Sequence, residues 1–304
     1  ELPRQNYSDG VNKEMSLHYQ SFVMEAYGLL MIEMQHNEIE IPEIWKEYLS
    51  NMSEFVCDCC GDFGETIVFG DNDEGKILDI SGKHFDHYRY VLNLMGIVLD
   101  KRYSKMDEIH ENICWIVDTQ YIADSSKKEL YISPDVKSYK QGGYTLIRCQ
   151  DNKIFIGIDH AELGFGSLAA HGHADALSFQ MFIEGIPVFV DPGTYNYHVP
   201  KQTRDDFRAT KNHNTVCING ENQAEMLGPF LWGKRYLCQM PRITVNDDGI
   251  NIQVETRYAY TIHKRNVKLL TSKDFVIEIF DEVKSENNIK EISQIFSLGP
   301  ECKV

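Results

Sequence analysis

Apolar positions fall into two regimes along this chain. From Met15 to about Gln35 the sequence is almost free of helix breakers and sets Phe22, Val23, Tyr27, Leu30 and Met34 at helical spacing. A second stretch, Pro42 to Cys60, opens with a proline tolerated in a first helical turn and closes at Gly61. Two more helices are predicted over His84 to Leu99 and Lys105 to Val117. Past about residue 123 the period shortens. Lys153 to Asp159, Ala176 to Ile183, Pro187 to Asp191, Ile250 to Thr256 and Phe275 to Phe280 alternate or run as short β-rich segments, with turns at Gly185 and Asp247-Asp-Gly249. Helices first and strands afterwards predict an α+β multidomain chain, a helical domain over 1–122 and an antiparallel β-sandwich over 123–304.

Composition narrows the partners. The 304 residues, 42% hydrophobic, suffice for two compact domains. With 46 acidic against 30 basic residues the formal charge is −16, and no basic run concentrates positive potential, which argues against nucleic acid and anionic membranes. No apolar run reaches the roughly 18 residues of a spanning helix, and the first residues lack the build of a signal peptide, so membrane insertion is not expected. Eight cysteines show no disulfide-like spacing and read as reduced thiols. The cluster Cys57-Asp-Cys59-Cys60 has no second pair to complete a zinc knot, and reads as plain helix-side cysteines.

Candidate chemistry gathers in three segments: His171-Gly-His-Ala-Asp175, then Asp191-Pro-Gly193, then Asn212-His-Asn214 behind Arg204 and Arg208. If the first lies on a strand, His171 and His173 share a face, and Gly172 leaves room for close backbone approach. Asp191 ends the strand Val188 to Val190, and His213 precedes the strand Thr215 to Ile218. A His/Asp/His set of this kind suits a zinc site with a fourth position for water or a neighbour. Separate hydrogen-bonded sheet histidines are the alternative. The acidic stretch Asp71-Asn-Asp-Glu-Gly75 resembles a calcium loop but lacks the distal glutamate, and reads as a solvated interhelical turn.

The blocks His171 to Phe179, Val190 to Tyr197 and Arg204 to Val216 together resemble the signature of the heparinase II/III-like polysaccharide lyases, and Asp9 to Tyr19 and Phe69 to Gly75 match more loosely. The resemblance implies an incomplete α/α toroid, of which this chain holds the C-terminal part, followed by an antiparallel β-sandwich. It implies β-elimination across a uronic acid in an acidic polysaccharide or oligosaccharide such as a glycosaminoglycan or alginate. It assigns Tyr19 and His171 as catalytic residues, and His173, Asp191 and His213 as ligands of one structural zinc. Substrate contacts are expected from Tyr197 and from Arg204 or Arg208, although pairing of these arginines with Asp205 and Asp206 is an equal alternative. A periplasmic or secreted bacterial enzyme is implied.

The family also supplies an upstream asparagine that neutralises the uronate. Nothing before Asp9 matches it, Asn6 and Asn12 being in the wrong context, so either the chain is a piece without its N-terminal toroid helices or this member has lost that function. The uncapped C-terminus favours truncation at both ends. Two other readings compete: a carbohydrate-binding protein on the same scaffold, and a zinc-dependent hydrolase, for which no His-Glu-x-x-His helix exists. A glycosidase needs two suitably placed carboxylates, and nothing marks Glu162 and Asp175 as such. A polyuronate bound by so acidic a chain requires local cations, and at least two of Arg204, Arg208, Lys211 and Lys234 are expected to line the cleft beside His171.

Overall fold

The computed structural model describes every residue except 81, 83, 104–108, 272–274 and 304. The described helices are α1 (Leu2–Gln5), α2 (Leu17–His36), α3 (Glu43–Cys59), α4 (His87–Val98), α5 (Glu111–Ile116), α6 (Thr119–Ser126) and α7 (Lys201–Phe207). The three long predicted helices are present. The fourth is shorter than Lys105 to Val117; its predicted start at 105–108 lies outside the described residues. Helices α6 and α7 were not predicted, and α7 sits in the strand-rich half. Ser16 caps α2 by accepting the Tyr19 N–H at 3.1 Å, which fixes the helix start so that Tyr19 falls in its first turn.

The strands are β1 (Val136–Tyr139), β2 (Tyr144–Cys149), β3 (Ile154–Asp159), β4 (Phe179–Ile183), β5 (Ile186–Phe189), β6 (Val216–Ile218), β7 (Met226–Gly228), β8 (Leu231–Trp232), β9 (Leu237–Cys238), β10 (Arg242–Asn246), β11 (Gly249–Tyr258), β12 (Thr261–Leu270), β13 (Val276–Ser285) and β14 (Ile292–Gln294). All pair antiparallel. One five-stranded sheet runs β1-β2-β3-β4-β5; the other runs β10-β11-β12-β13, with β9 also on β11. The chain is therefore mixed α+β with antiparallel sheets.

The first sheet is the middle layer. Strand β3 is buried at all six positions, which demands apolar partners on both faces. Phe155, with Leu146 and Tyr144 of β2, packs into a core shared with α2, α3 and α4. Ile154, Ile156 and Ile158 point the other way and meet Ile250, Ile252, Val267 and Leu269 of the second sheet. Alternation along a single strand thus joins the helices to the second sheet. All eight cysteines are free thiols, as expected.

A buried ion pair fastens the second sheet to the loops of the first. Arg265 on β12 forks onto Asp281 of β13, with Nε to Oδ1 at 2.8 Å and Nη2 to Oδ2 at 2.9 Å, and its Nη1 donates to the Leu177 and Asn214 carbonyls at 2.6 Å. Burial alone would raise the Asp281 pKa, but hydrogen bonds from Arg265 and His263 outweigh it and hold the carboxyl well below its ordinary range. Removing one partner strands a buried charge. Arg265→Leu is expected to cost about 3 to 5 kcal/mol in urea unfolding at neutral pH. Because the folded Asp281 pKa is depressed, its contribution is complete above the unfolded value of about 3.9 and fades as pH falls below it, so the gap between parent and variant should narrow in acid.

Candidate active site and metal centre

The candidate site is assembled around a carboxylate that the sequence did not single out. Asp71 is fully buried rather than part of a solvated turn. Gly70, at φ +65°, brings it there: a Cβ on Gly70 would lie 2.0 Å from the Met15 carbonyl oxygen and 2.9 Å from that of His171. The Asp71 N–H donates to the His171 carbonyl at 2.9 Å, and its own carbonyl accepts from the Ser16 hydroxyl. Asp71 Oδ1 faces His173 Nε2 at 3.0 Å and Thr194 Oγ1 at 3.4 Å, while Oδ2 faces His171 Nδ1 at 3.3 Å and accepts from Arg204. Burial opposes ionisation, yet the bonds from His171 and His173 and the charge of Arg204 hold Asp71 far below the usual carboxylate range.

His171 and His173 lie on a loop, not the expected strand, and Gly172 between them approaches the Leu163 carbonyl too closely for any side chain: a Cβ there would sit 1.6 Å from the oxygen. The two imidazoles nevertheless converge on Asp71. His171 stacks on Tyr19 with ring centroids 3.8 Å apart, 20° from parallel. The Tyr19 hydroxyl donates to Asp73 Oδ2 at 3.1 Å and lies 3.2 Å from that of Tyr197. Burial, and then nearby carboxylates, push the Tyr19 phenol up to about 12; burial and the Asp71 charge drive Tyr197 higher still. Beside them opens a cleft of about 510 Å³ lined by His18, Asp71, Asp73, Glu74, Tyr88 and Tyr195 through His198, among others.

Behind Asp71, the side chains of His173, Asp191 and His213 each offer a ligand atom within 4.8 Å of the others. His173 turns Nε2 to Asp71, and His213 turns Nδ1 to Asp191 Oδ2 at 2.7 Å. The remaining nitrogens, His173 Nδ1 and His213 Nε2, are buried without a hydrogen-bond partner, which fits a metal ion and is costly without one. Asn214 braces the site by donating to the Phe179 and Val190 carbonyls at 2.8 and 3.0 Å and accepting the Ser297 N–H.

The arginines depart from expectation. Arg204 is buried, paired with Asp71, and packs its guanidinium 5.2 Å from the Tyr197 ring centre. Arg208 is fully buried beside Trp232 and bonded to Asp205, so it presents nothing to the cleft; the ion-pair alternative is the one the structure adopts. Lys211 pairs with Asp206 and Lys234 is exposed elsewhere, so none of the four lines the cleft, whose described wall carries no lysine or arginine. Asn6 and Asn12 bond each other at 2.8 Å, buried within the N-terminal turn.

Residues 132–304 match the family described as heparinase II/III-like, C-terminal. The chain belongs to this family. No curated protein matches it in sequence. Among solved structures, heparan sulfate lyase HepC from Pedobacter heparinus aligns at TM-score 0.64 and 16% identity, covering 91% of this chain and 39% of that one. A heparinase III gene product aligns at TM-score 0.66 and 19% identity over 99% of this chain and 42% of its own. A further heparinase III aligns at 0.60 and 19%, covering 91% and 41%. At these identities the likeness is one of fold, and the chain spans about two fifths of the length of these proteins. Among the described residues no helix is long and apolar enough to cross a membrane.

Replacing Asp71 tests its place as hub. Asp71→Ala leaves the Arg204 guanidinium buried and unpaired, and is expected to cost about 3 to 5 kcal/mol in denaturant unfolding. Loss of less than roughly 1 kcal/mol, the range of an exposed pair, would mean that the pair is not buried in solution.

Proposed function

We propose that the full-length protein is a polysaccharide lyase that cleaves a uronic-acid-containing polymer by β-elimination, with Tyr19 and His171 as acid and base. The stacked pair Tyr19 and His171, joined to the cleft wall through the Tyr19 hydroxyl's contacts with Asp73 and Tyr197, carries this reading. His171 Nδ1 is engaged with Asp71, which leaves Nε2 as the nitrogen able to accept the C5 proton. As that C–H bond breaks, its electron pair forms the C4–C5 double bond, the C4–O4 bond breaks, and the leaving oxygen takes the Tyr19 proton. A phenol held near 12 is protonated at neutral pH and matched to a departing alkoxide. Acid and base side by side suit removal of the proton and the leaving group from one face of the ring. Tyr197, against the Tyr19 hydroxyl, is the proposed substrate contact.

His173, Asp191 and His213 would hold one zinc ion, whose chemistry here is structural: a fixed charge tying three loops together. The proposed architecture is a helical domain over 1–122 joined to a β-sandwich over 123–304, and the proposed location is periplasmic or secreted. Support comes from the shared fold of the heparan sulfate lyase and the heparinase III structures. One observation favours a second reading: the described cleft wall carries Asp71, Asp73 and Glu74 without lysine or arginine, which argues for a neutral glycan and against a uronate polymer.

The full-length protein should generate unsaturated product, read as ultraviolet absorbance, from one of a panel of uronic-acid polymers of graded sulfation. Tyr19→Phe and His171→Ala should each lower the rate by about 10²-fold or more without unfolding the protein. Activity retained in both variants would remove these residues from the mechanism. Elemental analysis should find one equivalent of zinc per chain, lost in His213→Ala together with several degrees of melting temperature.

A further inference from the structure

Asp73 lies between Tyr19 and water. One oxygen, Oδ2, accepts from the Tyr19 hydroxyl at 3.1 Å; the other, Oδ1, accepts the Gly75 N–H at 3.0 Å and sits 3.3 Å from His18 Nε2. His18 is 4% exposed, and its Nε2 makes no aligned hydrogen bond, so it backs the carboxylate without neutralising it. The Asp73 side chain is 37% exposed and lines the cleft. Loop 71–80 is fastened at both ends: Asp71 grips the histidine loop, and buried Glu25 accepts the Ile77 and Leu78 N–H groups at 3.0 Å.

Resting on the lyase reading above, we propose that Asp73 is the positioning residue for Tyr19, holding its hydroxyl in place and relaying to it, from cleft water, the proton lost at each turnover. When Tyr19 protonates the leaving oxygen, its O–H bond breaks and the electron pair stays on Oη. A water bound to Asp73 then gives a proton to Oη, and the hydroxide formed takes up the proton that His171 removed from C5, so the cycle closes without net gain or loss.

The charged and titratable groups facing Tyr19 come from every neighbouring element. His18 meets it edge-on at 6.0 Å, and burial keeps that imidazole down to about 4, hence neutral. His171 stacks on it, with Glu14 3.8 Å from His171 Nε2; Asp71 lies behind, and Tyr197 meets the hydroxyl with Arg204 beyond. Asp73 is the carboxylate that both touches the hydroxyl and reaches solvent. Removing its charge takes away one of the causes that raise the phenol.

The test is Asp73→Asn in the full-length protein. The rate kcat should fall roughly tenfold or more with KM within about twofold, and the alkaline limb of the pH profile should move down by about one unit. On this chain, phenolate absorbance with and without an added Tyr19→Phe change reads the same group without turnover. Tyr19 should begin to ionise about one unit lower once Asp73 is asparagine. An unmoved titration, or a kcat loss with an unmoved alkaline limb, overturns the proposal. If no polymer is cleaved by the parent, the lyase reading fails, and the phenol titration alone still decides whether Asp73 governs Tyr19.

Discussion

A single buried carboxylate holds the site together. Asp71 has no solvent exposure, yet stays ionised because two imidazoles and one guanidinium surround it. Each partner serves a different part of the molecule. His173 leads to the His/Asp/His cluster, His171 stacks on Tyr19, and Arg204 supports the Tyr197 ring. Because Oδ1 accepts from His173 Nε2, Nδ1 is the nitrogen turned toward Asp191 and His213; because Oδ2 faces His171 Nδ1, Nε2 is turned away from Asp71, 3.8 Å from Glu14. One side chain therefore sets which nitrogen of each histidine faces away from the buried carboxylate.

The fold brings this carboxylate from far away in sequence. Asp71 follows α3, whereas its histidine partners lie about a hundred residues on, beyond three strands of the first sheet. That sheet is buried on both faces, so its strands keep the helical core and the second sheet at fixed separation. Arg265 extends the same logic from the far side, gripping the Asn214 carbonyl next to His213. The His/Asp/His cluster and the stacked pair are thus braced from two directions.

Periodicity gave up the long helices and strands β3, β4, β5, β11 and β13, because a buried face leaves a repeating mark, but β2 and the ten-residue β12 were missed although β12 alternates between buried and more exposed positions. Short helices such as α6 and α7 carry too few turns to leave one. His173, Asp191 and His213 were legible because each stands beside a turn or strand end in compact motifs. Asp71 and Asp73 were not. In a stretch of Asp, Asn, Glu and Gly, nothing local tells a solvated turn from a loop buried by a distant arginine, although Gly70 before them hinted at close backbone approach. Arg208 misled for the converse reason: a basic residue beside site motifs resembles a substrate anchor, but its partners Asp205 and Trp232 bury it.

Asp71 thus joins the His/Asp/His cluster, a candidate metal centre, to the Tyr19 and His171 pair. The most direct test of this link is a crystal structure of the protein grown with zinc, with the ion located by anomalous scattering. One ion is expected, bounded by His173 Nδ1, Asp191 and His213 Nε2, with Asp71 still touching both His171 and His173 and with Tyr19 stacked on His171. An ion held elsewhere, or an Asp71 carboxylate turned to solvent away from both imidazoles, would contradict it.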